Sequence, residues 1–138
     1  MHSGPVSKTP EPRPRGATDD EAVELCRDWM RYLGATDAVV AAGEPRQLCD
    51  LYASGYLGWV ENKRGNLQIV QVEHAAAVVA ADGRRGLIFA RHGVLPAARV
   101  RADELGIAIF GFDPRGGTLD GVNLLGRELF AWAHARQI

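Results

Sequence analysis

A chain of 138 residues has the length of one domain, and its 46% hydrophobic content can fill a core without metal or disulfide crosslinks. Sixteen basic and seventeen acidic side chains give a net charge of -1, which excludes a global field that would draw the whole molecule to nucleic acid or to an anionic membrane. Cys26 and Cys49 are too few for a secreted disulfide framework, and the most apolar stretch, residues 67–81, is too short to span a bilayer. We therefore expect a soluble, cytoplasmic domain without a membrane partner.

The chain opens with a proline-rich stretch whose few apolar groups cannot offset the entropy cost of ordering it. We expect a disordered tail over residues 1–16 and a single domain over residues 17–138. Thr18 and Glu21 form a capping-box pattern at the start of that domain, and apolar residues recur after it at helical spacing. These signals predict a helix that ends at Gly34.

Four short β-prone runs come next and are separated by residues with turn chemistry: residues 38–42, 47–52, 56–61 and 67–74. We interpret these runs as an antiparallel meander. Residues 75–81 allow two interpretations, because their alanines favour a helix whereas Val78 and Val79 favour a continuation of the last strand.

The second half of the chain predicts a strand, a helix and a strand. Residues 86–90 form an unbroken apolar run, Pro96 begins a helix that Gly106 ends, and residues 107–110 are apolar again. This spacing predicts a right-handed parallel crossover. After a loop at residues 113–117, a C-terminal helix should bury Val122, Leu125, Leu129 and Trp132. The predicted fold class is therefore α/β, with a mixed sheet made of the antiparallel meander and the βαβ crossover and flanked by helices.

Several strings of the sequence match a nuclease pattern. The segment from Gly86 to Arg99 has the pattern of a buried strand, a glycine-containing turn and a helix. The string from Val70 to Glu73 is similar to Val-Gln-x-Lys with glutamate in place of lysine, and Asp50 provides an upstream carboxylate. With the element order, these strings resemble the Mrr-like branch of the PD-(D/E)xK superfamily of restriction endonucleases. The resemblance implies a restriction-endonuclease-like fold and Mg²⁺-dependent hydrolysis of DNA phosphodiesters, in bacterial defence or DNA repair.

The resemblance also implies roles for individual residues. Asp50, Gln71 and Glu73 would be catalytic, and Asp50, Glu73 and Glu24 would hold the Mg²⁺ ion. Glu61 is an alternative to Asp50 as the first carboxylate, because its spacing to Gln71 is more ordinary for the family. Glu73 stands where the family has the lysine that orients or deprotonates the attacking water. The chain is therefore either an active endonuclease or a catalytically inactive nuclease-fold module that binds DNA or a partner protein.

The alternation of side chains along a strand defines the geometry of this predicted site. If residues 67–74 form a strand, Gln71 and Glu73 project to one face, and Asp50 on a neighbouring strand can join them. Carboxylate oxygens are hard ligands of the kind that Mg²⁺ prefers. The sequence thus predicts a Mg²⁺ site between two adjacent strands.

Contact with DNA requires a local basic rim, because the net charge is close to zero. Arginines in or beside the predicted turns and helix starts can pair with phosphates bidentately; they are Arg64, Arg84, Arg85, Arg91 and Arg99. Double-stranded DNA is the expected partner, and a homodimer or a complex with a partner protein is a further expectation.

Overall fold

A single mixed β-sheet organises residues 8–137, the part of the chain that this computed structural model describes. Its six strands lie side by side in chain order and are β1 (Val39–Val40), β2 (Leu51–Tyr52), β3 (Tyr56–Glu61), β4 (Arg85–Ala90), β5 (Ile107–Asp113) and β6 (Thr118–Gly121). β3, β4 and β5 run parallel to one another, whereas the other neighbours pair antiparallel.

Helices cover both faces of the sheet. They are α1 (Asp19–Tyr32), α2 (Ile69–Asp82), α3 (Pro96–Leu105) and α4 (Leu124–Arg136), and a short 3₁₀ helix, Glu44–Gln47, lies between β1 and β2. α1 and α4 pack on one face of the sheet, and α2 and α3 pack on the other. The predicted α/β class and the parallel crossover after residue 86, which is formed by β4, α3 and β5, are confirmed.

The alternation of side chains along β4 contributes to both halves of the core. Leu87 and Phe89 face α1 and α4, whereas Ile88 and Ala90 face α2 and α3. Phe89 stacks on Phe110 of β5, with ring centroids 5.5 Å apart. Because this strand is buried on both faces, its sequence is an unbroken apolar run.

The capping box at the start of α1 is present. Glu21 N donates to Thr18 Oγ1 over 3.2 Å, and Thr18 N donates to Glu21 Oε1 over 2.9 Å. The hydrogen bond from Thr18 N, followed by one from the Thr18 hydroxyl, lowers the pKa of the Glu21 carboxyl. Within the predicted tail, residues 1–7 lie outside the described residues, and Arg13 N donates to Pro114 O over 2.7 Å. That bond connects the segment before α1 to the loop after β5.

The predicted strand over residues 67–74 is wrong, because most of these residues belong to α2. β3 and β4 are parallel neighbours, so the chain must cross from the end of one to the start of the other, and a helix makes that crossover. Val72 and Ala75 are the buried residues of α2, and their spacing of three places them on one helical face. Gly83, with a left-handed φ of 95°, caps the end of the helix.

The C-terminal third differs from the prediction in two respects. β6 adds an antiparallel edge strand that pairs with β5 directly after the predicted loop. Trp132, which should belong to the buried face of α4, is 50% exposed, whereas its neighbour Ala133 is buried.

Among residues 8–137, no helix has both the length and the apolar character needed to cross a membrane.

One buried polar side chain connects α4 to the sheet. Asn123 is 2% exposed, and its Oδ1 accepts hydrogen bonds from Gly126 N and from Ile109 N, each over 2.9 Å. Its Nδ2 donates to Ile107 O over 2.8 Å. Asn123 thus caps α4 and also satisfies the backbone of β5 where β6 does not reach.

Candidate functional site

The parallel strands β3, β4 and β5 end at one edge of the sheet, which we call the C-terminal edge. The loops after these strands and the first turns of α2 and α3 lie there, which is where α/β sheets commonly bind ligands. A cleft of about 370 Å³ lies between β3 and α2 at this edge. Its polar lining residues are Asp50, Glu61, Gln71 and His74.

Asp50 lies immediately before β2 and contacts the backbone of β3. Its Oδ2 accepts a hydrogen bond from Val60 N over 2.7 Å. Because β2 is only two residues long, this oxygen replaces the backbone acceptor that a longer strand would offer to Val60. Arg46, at the 3₁₀ helix, places its Nε 3.3 Å from Asp50 Oδ1. Both carboxylate oxygens of Asp50 therefore have a partner.

Glu61 is the last residue of β3 and is held by the first turn of α2. Gln71 Nε2 donates to Glu61 Oε2 over 2.7 Å, and Gln71 Oε1 accepts from Gln68 N over 2.8 Å. The side chain of Gln71 therefore connects the N-terminus of the helix to the carboxylate. This arrangement restricts the orientation of Glu61 and directs it into the cleft.

Asp50 and Glu61 both line the cleft at the C-terminal edge. The β2–β3 register pairs Leu51 with Gly58, and Asp50 N also donates to Gly58 O over 2.9 Å, so Asp50 and Leu51 both oppose Gly58, as in a β-bulge. Glu61 follows Trp59 by two residues and shares its face, the one that α2 covers. The strand register therefore does not make the two acids cross-strand neighbours, and they are brought together as lining residues of one cleft. A small ligand bound in this cleft would therefore lie beside both acids.

Glu73 and Glu24 do not join Asp50 in this cleft. On a helix of 3.6 residues per turn, Gln71 and Glu73 project to different sides, so the shared face expected from a strand does not exist. Glu73 is exposed, and its Oε2 lies 3.3 Å from Arg101 Nε of α3. Glu24 is exposed on α1, the helix on the opposite face of the sheet. The structure therefore does not assemble the predicted ligand set of Asp50, Glu73 and Glu24.

Lys63 is a candidate catalytic residue to which the sequence expectation gives no catalytic role. It lies in the exposed loop after β3, two residues beyond Glu61, in the string Glu61-Asn62-Lys63. The sequence contains a signal for this residue. Glu61 ends a strand that is predicted with the observed bounds, and Lys63 follows it after one residue, which is an acid-x-lysine pattern. The resemblance instead gives Glu61 only as an alternative to Asp50 and matches the lysine position of the family to Glu73.

Two of the predicted DNA-binding arginines lie far from the cleft. Arg84 precedes β4 and Arg85 begins it, so both lie at the edge opposite the C-terminal edge. Arg84 is also paired, since its Nε and Nη2 donate to the Asp82 carboxylate over 2.7 and 2.8 Å. These hydrogen bonds lower the pKa of Asp82 to about 2. The expectation that Arg84 and Arg85 share a rim with the site is therefore corrected.

The other three predicted arginines lie at the C-terminal edge, as the cleft does. Arg64 is in the loop after β3, Arg91 follows β4 directly, and Arg99 lies near the start of α3. Arg64 and Arg99 are exposed, whereas Arg91 is half-buried. Positive charge is thus available beside the cleft, although the chain as a whole is almost neutral.

A larger groove of about 830 Å³ shares His74 with the cleft. Its lining is mainly apolar and includes Leu48, Tyr52 and Val78. Cys49 also lines it, and burial followed by the nearby charge of Asp50 raises the pKa of this thiol. The thiol therefore remains neutral and is not an activated nucleophile.

Comparisons of this chain with protein-family models, with curated proteins and with solved structures found no match. Interpretation of the site therefore depends on its geometry and on the chemistry of its residues. The site has two carboxylates and an amide that orients one of them, and a lysine follows Glu61 by two residues in the sequence.

Proposed function

We propose that this chain is a Mg²⁺-dependent nuclease that hydrolyses phosphodiester bonds of double-stranded DNA at the cleft lined by Asp50 and Glu61. The observation that carries this proposal is that both acids line one cleft at the C-terminal edge of the sheet. Lys63 adds the acid-x-lysine order that gives the PD-(D/E)xK superfamily its name. The element order, with a helix, three antiparallel strands, a helix and a parallel strand, supports the same assignment.

The donor set fits a Mg²⁺ ion. This ion binds oxygen ligands and commonly uses one or two carboxylates together with waters and substrate phosphate oxygens. Asp50 and Glu61 supply two carboxylates, and within residues 8–137 no three His, Cys, Asp or Glu side chains form a metal-binding group. The substrate phosphate would complete such a site. When bound, the ion would polarise the scissile phosphate and lower the pKa of a water.

The residues of the chain would orient the reacting groups. Gln71, itself fixed by Gln68 N, holds Glu61 at a hydrogen-bond distance of 2.7 Å, so that little reorganisation is needed when substrate binds. Lys63 would orient the attacking water and balance the charge that develops on the phosphate in the transition state. The loop position of Lys63 gives it the freedom to approach a bound strand.

The test is cleavage of supercoiled plasmid by the full chain with Mg²⁺ or Mn²⁺. Glu61→Gln removes one carboxylate charge and should lower the cleavage rate at least about 100-fold, because the cation would lose one of two protein ligands. Glu73→Gln is a matched control: the same substitution at an exposed ion pair with Arg101 should change the rate less than about twofold.

Two outcomes would contradict the proposal. Loss of cleavage in Glu73→Gln with retention in Glu61→Gln would move the active centre away from the cleft. A wild-type chain that binds duplex DNA in a salt-dependent way but never cleaves it would be the inactive nuclease-fold module, and catalysis at Glu61 would be rejected.

A further inference from the structure

Two arginines approach a single point at the C-terminal edge, on the side of the sheet that α1 covers. Arg91 follows β4, Arg115 follows β5, and both reach Gly16 in the segment before α1. The point that a Cβ atom of Gly16 would occupy lies 3.2 Å from Arg91 Nη2 and 3.6 Å from Arg115 Nε. Gly16 has a left-handed φ of 82°, a conformation that glycine adopts without strain, and its missing side chain leaves room for both guanidinium groups.

Neither guanidinium group has an anionic partner among the described residues. No Asp or Glu of residues 8–137 forms a salt bridge with Arg91 or Arg115. Arg91 Nη1 contacts two neutral acceptors, Asn62 Oδ1 at 3.3 Å and Ala17 O at 3.5 Å. Asp113 accepts a hydrogen bond from the backbone N of Arg115 over 3.0 Å, but among the described residues it forms no salt bridge with the guanidinium of Arg115.

Two positive charges held this close repel each other, and a bound anion removes that cost. The planar guanidinium group donates in a fork that matches the oxygens of a phosphate. We propose that Arg91 and Arg115 form a clamp for one phosphate group of the nucleic-acid backbone, at a position other than the scissile bond. This proposal rests on the proposed function and adds how the substrate strand is held.

The clamp is connected directly to the catalytic cleft. Arg91 N donates to Glu61 O over 2.9 Å, and the guanidinium of Arg91 contacts Asn62, the residue after Glu61. The carboxylate of Glu61 faces α2, whereas the guanidinium of Arg91 lies on the α1 side. A strand that crosses the C-terminal edge would therefore place one phosphate in the clamp and another in the cleft.

The experiment measures binding of a fluorescently labelled DNA duplex to the full chain by anisotropy, over a series of salt concentrations and with EDTA present to prevent cleavage. Arg91→Ala and Arg115→Ala are compared with Arg85→Ala, which removes the same charge at the opposite edge of the sheet. Each phosphate contact adds about 0.9 to the slope of log affinity against log salt.

We expect Arg91→Ala and Arg115→Ala each to weaken binding at least about fivefold and to lower the salt slope by up to about one. In the double variant the total decrease of the salt slope should still not exceed about one, because both arginines hold the same phosphate. Arg85→Ala should bind as the wild type does. Thermal denaturation verifies that each variant folds, and the exposed Arg115 provides an independent test if Arg91→Ala unfolds.

Unchanged affinity and slope in both clamp variants would overturn the proposal, as would an equal loss in Arg85→Ala. Wild-type protein that binds no duplex would overturn it as well. Failure of the nuclease proposal is distinguishable: a chain that needs Arg91 and Arg115 for binding but does not cleave keeps the clamp and loses the catalysis. A chain that cleaves DNA while both variants bind normally loses the clamp alone.

Discussion

Lys63 follows Glu61 by two residues, and the other lysine of the chain is Lys8. If Lys63 orients the attacking water, Lys63→Ala should lower the cleavage rate at least about 100-fold, because a positioned acid–base group contributes about 10²–10⁴-fold. The affinity for duplex DNA should change far less, since one phosphate contact at most is lost. The rate and the affinity are measured on the same plasmid and duplex.

Lys8→Ala is the matched control for that measurement. It removes the same charge from an exposed residue before α1, and the cleavage rate should stay at the wild-type value. Equal effects of the two substitutions would show that only overall charge matters and would remove Lys63 from the proposed mechanism.

Individual site residues were predictable where local sequence determines their position. Asp50 and Gln71 were both predicted, and both line the cleft. Glu73 was assigned to the cleft only because a strand was assumed, and the rotation of a helix moves it away. Arg115 could not be predicted, because its approach to Gly16 depends on how distant segments pack together.

At the scale of secondary-structure elements, Asn123 connects α4 to β5 and should be critical for stability. Asn123→Ala removes three hydrogen bonds and leaves buried groups of Ile107 and Ile109 without a partner. We expect a loss of about 3 kcal/mol in the free energy of unfolding, measured by urea denaturation. Asn66→Ala, at an exposed loop asparagine, should change it by less than about 0.5 kcal/mol. Equal values for both variants would contradict this role.

The elements that the sequence predicted well have strong local signals. α1 has a capping box, and α3 begins at Pro96 and ends before Gly106, which has a left-handed φ of 77°. α2 also ends at a left-handed glycine, Gly83, but its N-cap is Gln68 instead of the Ser, Thr, Asp or Asn that typically starts a helix. Its first turn contains Ile69 and Val70, which are 37% and 68% exposed. Such β-branched residues are typical of strands. In the structure, however, Val70 lies in α2 and lines the cleft, so it is not a strand residue.

At the scale of the whole molecule, the class of fold was predictable but the sheet order was not. Alternation of helical and β-prone segments indicates an α/β fold, and the structure has it. The pairing of β3 with β4 joins segments separated by α2, and such non-local pairing has no signature in a single sequence. That pairing is what makes the ends of β3, β4 and β5 meet at one edge, where the cleft and the clamp lie.

In the proposed function, Asp50 and Glu61, and not Glu73, hold the cation. Titration of the full chain with Mn²⁺, followed by the electron paramagnetic resonance signal of the free ion, tests it without any need for turnover. We predict one site per chain, weakened at least about tenfold by Glu61→Gln and unchanged by Glu73→Gln. Binding that survives Glu61→Gln but is lost in Glu73→Gln would rule out a cation site at Asp50 and Glu61.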